Sequence, residues 1–425
     1  MQKTNIEEYD YVILGTGLSE SIISMLIAEK RKKVLVVDRF QCYGSEFATL
    51  SYVELLEHFG IKSNEVDLVT KTREFNIDLT PKLLMNESDL KNLIVEKEIH
   101  KIVGFSAVVG SYLYNSKLHV IPRNEAQSMQ CSAIGFIQKT KVARFFYNLR
   151  HVAKRGYVYK KRMIDEFNMF GLDKLAVDFI GHGIAMEVDN EYLKKCPKIT
   201  YNKILRYVQS IVSYDNSESP FIYPHYGLSD ICQAFVRKAA CNGAEFMINT
   251  KIMCINTQNN TINLIDPDGN GHEIKYGKMV ADPSYFTLDI LDCCKSVVSK
   301  RIIRCIMILK KNKKYLGSRN ITFLHSSLNR SNDVFVVVLD SKTRACPPEY
   351  EIGILSTVQE TDNPEAEIAP ILSKFDTIKH FIEIRNVYAN DDTESVIFTT
   401  GVNENPMMDE IYDDVQTVLK KLDIN

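Results

Sequence analysis

The feature that most constrains the fold is a glycine turn between two short apolar runs near the start of the chain. The run Tyr11–Leu14 leads into Gly15 and Gly17, a helical pattern covers Ser21–Glu29, and a second run, Val34–Val37, ends at Asp38. The order of strand, glycine turn, helix, strand and acidic residue is typical of a dinucleotide-binding βαβ unit. We therefore predict an α/β chain built on a Rossmann-type domain.

The turn departs from the dinucleotide fingerprint at Glu20, where a third small residue is expected. A carboxylate there is too bulky for close packing of helix on strand. Its charge would also lie near the helix N-terminus, where the pyrophosphate of a dinucleotide binds. The sequence thus predicts the fold of a dinucleotide-binding domain with a damaged cofactor site.

Composition narrows the class of protein. With 425 residues, 45% of them hydrophobic, the chain can bury ample core and is expected to form two domains. A formal net charge of −2 argues against bulk attraction to nucleic acid or an anionic membrane, and it leaves a local basic patch open. Ten cysteines without a C-x-x-C pair, and no apolar run near the ~20 residues of a membrane span, indicate a cytosolic protein.

Helices and strands are segregated along the chain. From residue 124 to about residue 220 the patterns are almost all helical, whereas Ile302–Leu309, Val334–Leu339 and Glu351–Val358 are typical of strands. We predict a discontinuous α/β domain, residues 1–121 and 222–425, with a helical domain inserted at residues 122–221.

Two helices carry candidate contact residues. The pattern from Ser88 to Lys97 places four apolar residues on one side, a face that suits core packing or, if exposed, a docking patch. Gly227 precedes a helix on which Asp230 and Arg237, seven residues apart, fall on one face. From the residues alone, two solvated charges explain that second pair.

Patterns typical of catalytic and metal sites are missing. The nine histidines include no H-x-H or H-E-x-x-H spacing, and neither a G-x-S-x-G elbow nor a phosphate-binding G-x-x-x-x-G-K-[ST] loop occurs. We therefore expect no catalytic residues and no metal site, and we predict that the protein is not an enzyme.

Several stretches together resemble the Rab GDP-dissociation inhibitors over nearly the whole chain, and Glu20 in the glycine turn is itself a hallmark of that family. The matching stretches are Tyr9–Glu20, Lys33–Arg39 with Tyr43 and Gly44, Phe75–Met85, Asp178–His182, Tyr223–Leu228, Asp282–Tyr285 and Ile354–Glu360.

The resemblance implies a flavoprotein-like α/β domain with mixed sheets that holds no flavin, and a smaller inserted all-α domain. It implies a protein that binds GDP-bound, geranylgeranylated Rab GTPases, slows GDP release, and extracts the GTPases from membranes for recycling through the cytosol. A monomer in the free state, transient contact with membranes and no binding of nucleic acid are also implied.

The resemblance also assigns residues to surfaces. The Rab-binding platform would comprise Tyr43, Arg73, Asp230, Arg237 and Met247, with Asp230 where many family members have glutamate. The groove for the C-terminal tail of the GTPase would comprise Leu90, Leu93, Ile94 and Val95. The prenyl pocket would lie near Phe145, Phe146, Phe179 and Ile180. Gly15, Gly17, Glu20 and Asp38 would be a vestigial dinucleotide turn.

Two other functions are compatible with parts of this pattern. A Rab escort protein, which presents Rab GTPases to geranylgeranyl transferase, is a sister class, but such proteins carry long insertions that this chain lacks. An FAD-dependent oxidoreductase is the alternative from another class, because the opening βαβ pattern suits one.

Overall fold

The structure, a computed structural model, describes residues 7–62, 73–123, 127, 134–155, 161–213, 219–286 and 296–424. Within these residues the helices are α1 (Leu18–Glu29), α2 (Tyr52–His58), α3 (Asp89–Glu96), α4 (Phe136–Arg155), α5 (Met163–Met169), α6 (Lys174–Asp178), α7 (Pro197–Ser213), α8 (Ser229–Cys241), α9 (Pro364–Leu372) and α10 (Asp409–Lys421). None of these helices is long and apolar enough to cross a membrane.

The strands follow in the same numbering. They are β1 (Glu7–Leu14), β2 (Val34–Val37), β3 (Thr49–Leu50), β4 (Ile77–Asp78), β5 (Leu84–Met85), β6 (Phe105–Ala107), β7 (Gly110–Asn115), β8 (Lys117–Val120), β9 (Phe221–Pro224), β10 (Glu245–Met247), β11 (Lys251–Asn256), β12 (Thr261–Ile265), β13 (Gly271–Ala281), β14 (Val297–Lys310), β15 (Arg319–Phe323), β16 (Val334–Leu339), β17 (Tyr350–Val358), β18 (Thr377–Ala389) and β19 (Val396–Phe398).

The first sheet contains the predicted βαβ unit. Its order is β10-β2-β1-β13-β12-β11, with β19 also paired to β13. Strand β1 runs parallel to β2 and to β13, and Leu14 lies opposite both Val37 and Ala281. The carboxyl ends of these strands therefore meet at one edge, and the glycine turn lies at that edge.

Both faces of the first sheet are covered. Ile13 and Val36 belong to the large core cluster that includes α1, whereas Val12, Leu14 and Val37 belong to a separate cluster on the opposite face. Because successive side chains of a strand point to opposite faces, short continuous apolar runs such as Val34–Val37 are what a sheet buried on both faces requires.

The second sheet has the order β18-β14-β17-β16-β15-β7-β8. The predicted strands at Ile302–Leu309, Val334–Leu339 and Glu351–Val358 are confirmed as parts of β14, β16 and β17, which pair antiparallel. Strand β7 pairs parallel with β15, so this sheet is mixed. Two smaller sheets, β3-β4 and β5-β9-β6, lie between the larger elements.

The region predicted to be helical contains α4 to α7 and, among its described residues, no strand before β9. Phe145 of α4 is fully buried and its ring contacts the rings of Phe167 on α5 and Tyr201 on α7, with centroids 5.4 and 5.8 Å away. Helix α6 continues into a π-helical turn, Phe179–Ile184. Aromatic packing thus holds these helices to one another.

Candidate functional site

The glycine turn is built from backbone hydrogen bonds and one left-handed glycine. Gly15 has φ +114° and donates its N–H to the carbonyl oxygen of Val37 at 2.8 Å. A side chain at Gly15 would be strained in this conformation whatever space surrounds it. The predicted structural role of this turn agrees with that geometry.

Asp38 lies where a dinucleotide-binding domain would hold the ribose, yet its carboxylate is fully used inside the protein. It accepts hydrogen bonds from the backbone N–H of Thr16 and of Phe40, at 2.8 and 2.9 Å. It also accepts from the hydroxyls of Thr16, Ser45 and Tyr285, at 2.5, 2.7 and 3.0 Å. A buried carboxylate with five donors has little capacity left for a ligand hydroxyl.

Glu20 is the second buried carboxylate at the glycine turn. Its side chain is buried, and one carboxylate oxygen accepts a 2.7 Å hydrogen bond from the Thr399 hydroxyl. The second oxygen lies 2.6 Å from the point where a Cβ on Gly17 would stand, so the carboxylate covers the backbone that a pyrophosphate would approach. Burial, reinforced by the charge of Asp282, raises the pKa of Glu20 to about 8.

The space left beside this turn does not fit a dinucleotide. A cavity of about 50 Å³ remains between the turn and the segment from Thr400 to Asp414. Cofactor pockets measure roughly 300–1,000 Å³. The Asp38 oxygens that would accept from the ribose hydroxyls are already paired with donors of the protein, and Glu20 presents a carboxyl group to the phosphate position. These residues do not fit FAD or NAD.

The C-terminal part of the chain closes this cavity, which the sequence did not predict. The buried Lys82 donates to the side-chain oxygen of Asn403 at 3.0 Å and to the carbonyl oxygen of Asn405. Burial lowers the pKa of Lys82 to about 7. These contacts span more than 300 residues of chain, so no local pattern could have revealed them.

Two of the five residues that the resemblance assigns to the platform lie together at the edge of the first sheet. Tyr43 is half-buried, and its ring meets that of Phe246 on β10 edge-on, with 6.2 Å between centroids. Met247 follows Phe246 and is also half-buried, with its carbonyl oxygen accepting from the N–H of Asp38 at 2.9 Å. The glycine turn, through Asp38, is therefore in direct contact with this edge of the sheet.

Two more platform residues share α8, as predicted. Asp230, in the first turn of this helix, is half-buried, and burial raises its pKa. Arg237 is exposed two turns later. Arg73 is also exposed, and among the described residues no hydrogen bond or ion pair joins it to the other four. Among the described residues Arg237 also has no hydrogen-bond or ion-pair partner, so its guanidinium is available to a partner protein.

The face of α3 assigned to the tail groove points mostly inward. Leu90, Leu93 and Ile94 are buried in the large core cluster, and Val95 is 49% exposed. The core-packing use of this face is confirmed for the three buried residues. Of the four residues, Val95 is the one exposed to a peptide. The three buried residues would contact a peptide only if α3 moved.

The residues assigned to the prenyl pocket form a filled interior. Phe145, Phe179 and Ile180 are buried, and Phe146 is half-buried with its ring 5.6 Å from that of Phe145. Phe179 and Ile180 lie in the π-helical turn. Admitting a long apolar chain here would require the helices to separate.

A buried group that sequence patterns missed links the helical region to the second sheet. His182 Nδ1 and His325 Nδ1 lie 2.7 and 2.6 Å from the two carboxylate oxygens of Asp333. Burial disfavours the imidazolium of His182, but the Asp333 carboxylate outweighs burial and raises its pKa to about 9. Among the described residues these three are the group that could offer a metal three ligands. His325 is hydrogen-bonded to Asp333, and His182 forms an ion pair with it, so we interpret the group as a structural link.

Comparison with known proteins identifies relatives along the whole chain. A family model described as GDP dissociation inhibitor matches residues 5–423. Rab GDP dissociation inhibitor beta of Canis lupus familiaris is 31% identical over 434 residues, which cover 98% of this chain and 95% of that protein.

Solved structures agree with these relatives. The Rab GDI of Plasmodium falciparum superimposes with a TM-score of 0.86 at 27% identity, covering 98% of each chain. An oxidoreductase of Methanosarcina mazei superimposes with a TM-score of 0.64 at 12% identity, covering 96% of this chain and 99% of the other. The second similarity concerns the fold alone, and it confirms the predicted flavoprotein-like architecture.

Proposed function

The chain belongs to the GDP dissociation inhibitor family, and from that membership we propose that it is a Rab GDP-dissociation inhibitor. It binds geranylgeranylated Rab GTPases in their GDP-bound state, slows release of GDP, extracts the GTPases from membranes and returns them through the cytosol. The observation that carries this proposal is the family match over residues 5–423.

The geometry of the turn supports a role without chemistry. Asp38 and Glu20 are committed to partners within the protein, and the space beside them is too small for a dinucleotide. We propose that the protein binds no flavin and is not an enzyme. Protein purified without added cofactor should show no flavin absorbance in the visible range, and stoichiometric flavin would refute this part of the proposal.

The partner is proposed to meet the platform of Tyr43, Arg73, Asp230, Arg237 and Met247. The tail of the GTPase would run along α3 at Leu90, Leu93, Ile94 and Val95, and the prenyl chain would enter among Phe145, Phe146, Phe179 and Ile180. We further propose that residues 122–221 form the helical domain and that the free protein is a cytosolic monomer with transient membrane contact.

The free energy of transferring a prenyl chain into water makes such a pocket necessary. Each CH₂ of a prenyl chain transferred from lipid to water costs about 0.8 kcal/mol, so a soluble carrier must bury the chain again. Holding the GTPase in its GDP form requires contacts made to that state alone, because a ligand shifts an equilibrium only by its differential affinity.

The test is the rate at which a fluorescent GDP analogue leaves a prenylated Rab GTPase. Adding the protein should slow that release and bring the GTPase into the soluble fraction when vesicles are present. Unchanged release and unchanged partition would refute the proposal. Support of Rab geranylgeranylation by the transferase would instead assign the protein to the escort class.

Replacing Arg237 with alanine should weaken binding to the GDP-bound GTPase by about tenfold, or about 1.4 kcal/mol, since arginine is enriched among the interface residues that carry most of the binding energy. The fold should be unaffected, because Arg237 is exposed and unpaired among the described residues. Titration calorimetry measures the affinity, and Arg301→Ala, at an exposed arginine of the second sheet, is the matched control. Equal affinities for the two variants would remove Arg237 from the platform.

A further inference from the structure

Helix α4 lies in a strongly basic part of an otherwise slightly acidic chain. Between Glu125 and Asp165 the sequence holds nine lysines and arginines and no aspartate or glutamate, whereas the whole chain has a net charge of −2. Helix α4, whose described side chains include Lys139, Lys141, Arg144 and Arg150, carries part of this excess, which favours positive potential around it.

The exposed face of α4 carries large apolar side chains. Phe136 and Tyr147 are each 69% exposed and Ile137 is 72% exposed, while Phe145 and Leu149 on the opposite side are buried. At 100° per residue, Phe136 and Tyr147 lie within about 20° of each other and form an apolar strip, beside which lies the exposed Thr140. Ile137 lies about 100° from Phe136, on the far side of Arg144.

Cations flank this apolar strip on both sides. Arg150 lies on one side of the strip and Arg144 on the other, and both are exposed. Among the described residues neither guanidinium has an ion-pair or hydrogen-bond partner. By contrast, Lys141, further round the helix, donates to the carbonyl oxygen of Gly171 at 2.8 Å. The two arginines are therefore available to an external anion.

We propose that the exposed face of α4 docks on the surface of an anionic phospholipid membrane. Phe136, Ile137 and Tyr147 would enter the boundary between headgroups and acyl chains, and Arg144 and Arg150 would pair with lipid phosphates and carboxylates. Each basic residue near such a surface strengthens the attraction. This inference deepens the membrane contact of the proposed function and rests on it.

A membrane suits this face better than a nucleic acid does. The phosphate backbone of a nucleic acid would pair with the arginines, but it offers little apolar contact to an aliphatic side chain such as Ile137. A lipid interface buries both the aromatic and the aliphatic groups and leaves the guanidinium groups in water. Binding to the interface needs no spanning helix.

The test is sedimentation of the full chain with vesicles of phosphatidylcholine, with and without phosphatidylserine, and with no GTPase present. Binding should require phosphatidylserine and weaken as salt is raised. Arg144→Glu with Arg150→Glu should reduce binding by roughly tenfold or more, and Phe136→Ser with Ile137→Ser should also reduce it. Lys251→Glu with Lys342→Glu makes the same charge change at exposed lysines elsewhere and should have little effect.

The outcomes separate this inference from the proposed function. Equal binding to neutral and anionic vesicles, equal binding by wild-type protein and the α4 variants, or binding to RNA in place of vesicles would overturn the assignment of α4. Slowing of GDP release on a prenylated Rab GTPase held in solution should be unchanged in the arginine variant. Failure of that solution assay in the wild-type protein would refute the proposed function while leaving the vesicle result to judge α4.

Discussion

Replacing Glu20 with glutamine is expected to stabilise the protein, by an amount that grows as the pH rises. Burial raises the pKa of Glu20 to about 8 in the folded protein, against 4.5 as its ordinary value. Each unit of pKa difference corresponds to about 1.4 kcal/mol. The free energy of unfolding of the wild-type protein therefore falls by about 5 kcal/mol as the pH rises from one pKa to the other. Glutamine is neutral throughout and keeps an oxygen to accept from Thr399.

The sign of this effect follows from proton binding. Between pH 4.5 and about 8 the folded state holds a proton on Glu20 that the unfolded state has released, so the free energy of unfolding falls as the pH rises. Urea unfolding of both proteins at pH 5, 7 and 9 measures the difference. Glu57→Gln, at an exposed glutamate of α2, is the control. A Glu20→Gln protein whose stability runs parallel to that of the wild type at all three pH values would contradict the prediction.

Replacing Glu351 with alanine is expected to lower the free energy of unfolding by about 3–5 kcal/mol. Glu351 on β17 receives two parallel hydrogen bonds from the guanidinium of Arg319 on β15, at 2.9 and 2.8 Å, and both side chains are buried. Removing the carboxylate leaves a buried charge whose remaining hydrogen-bond acceptors, within the described ranges, are the carbonyl oxygens of Tyr315 and Gly317. Chemical unfolding gives the value directly.

Two controls define the cause of that loss. Arg319→Met combined with Glu351→Leu removes both charges and is expected to be nearly neutral, because well-packed apolar residues can replace a buried ion pair. Glu191→Ala breaks an exposed pair with Lys194 and should change the free energy of unfolding little. A double variant as unstable as Glu351→Ala would show that packing, and not the unpaired charge, is responsible.

Local patterns predicted the elements that depend on local physics. The strands β1 and β2 and the helix α1 between them are confirmed. Their signals are short apolar runs and a glycine turn, which act within a few residues. The antiparallel pairing of β14, β16 and β17 was beyond that reach, because continuous apolar runs report burial on both faces and carry no information on strand direction.

Strand β18 was missed for a related reason. Its residues, Thr377–Ala389, lie at the edge of the second sheet, and most are exposed or half-buried. The charged residues among them, including Glu383 and Arg385, obscure the apolar signal. Pairing with β14 decides that this segment is a strand, and pairing is a property of the whole fold.

In the candidate site, too, the sequence predicted local features and missed contacts between distant residues. Glu20 and Asp38 were singled out from their positions around the glycine turn, but their partners Thr399 and Tyr285 lie hundreds of residues away. The sequence predicted that Asp230 and Arg237 share a helix face, which is a local matter. It could not predict that Tyr43 meets Phe246, or that His182 reaches Asp333, because only the tertiary fold brings these residues together.

The pairing of β1 with β13 has a consequence for synthesis of the chain. β1 lies between β2 and β13, and β2 lies between β1 and β10, so the first sheet cannot close until residues beyond Gly271 have left the ribosome. Helices α4 to α7, by contrast, find their aromatic partners within residues 136–213. Contacts close in sequence form with the smaller loss of chain entropy. The helical region is therefore expected to pack first, while the apolar run Val34–Val37 lacks its second neighbour, β10, and is exposed to chaperones on that side.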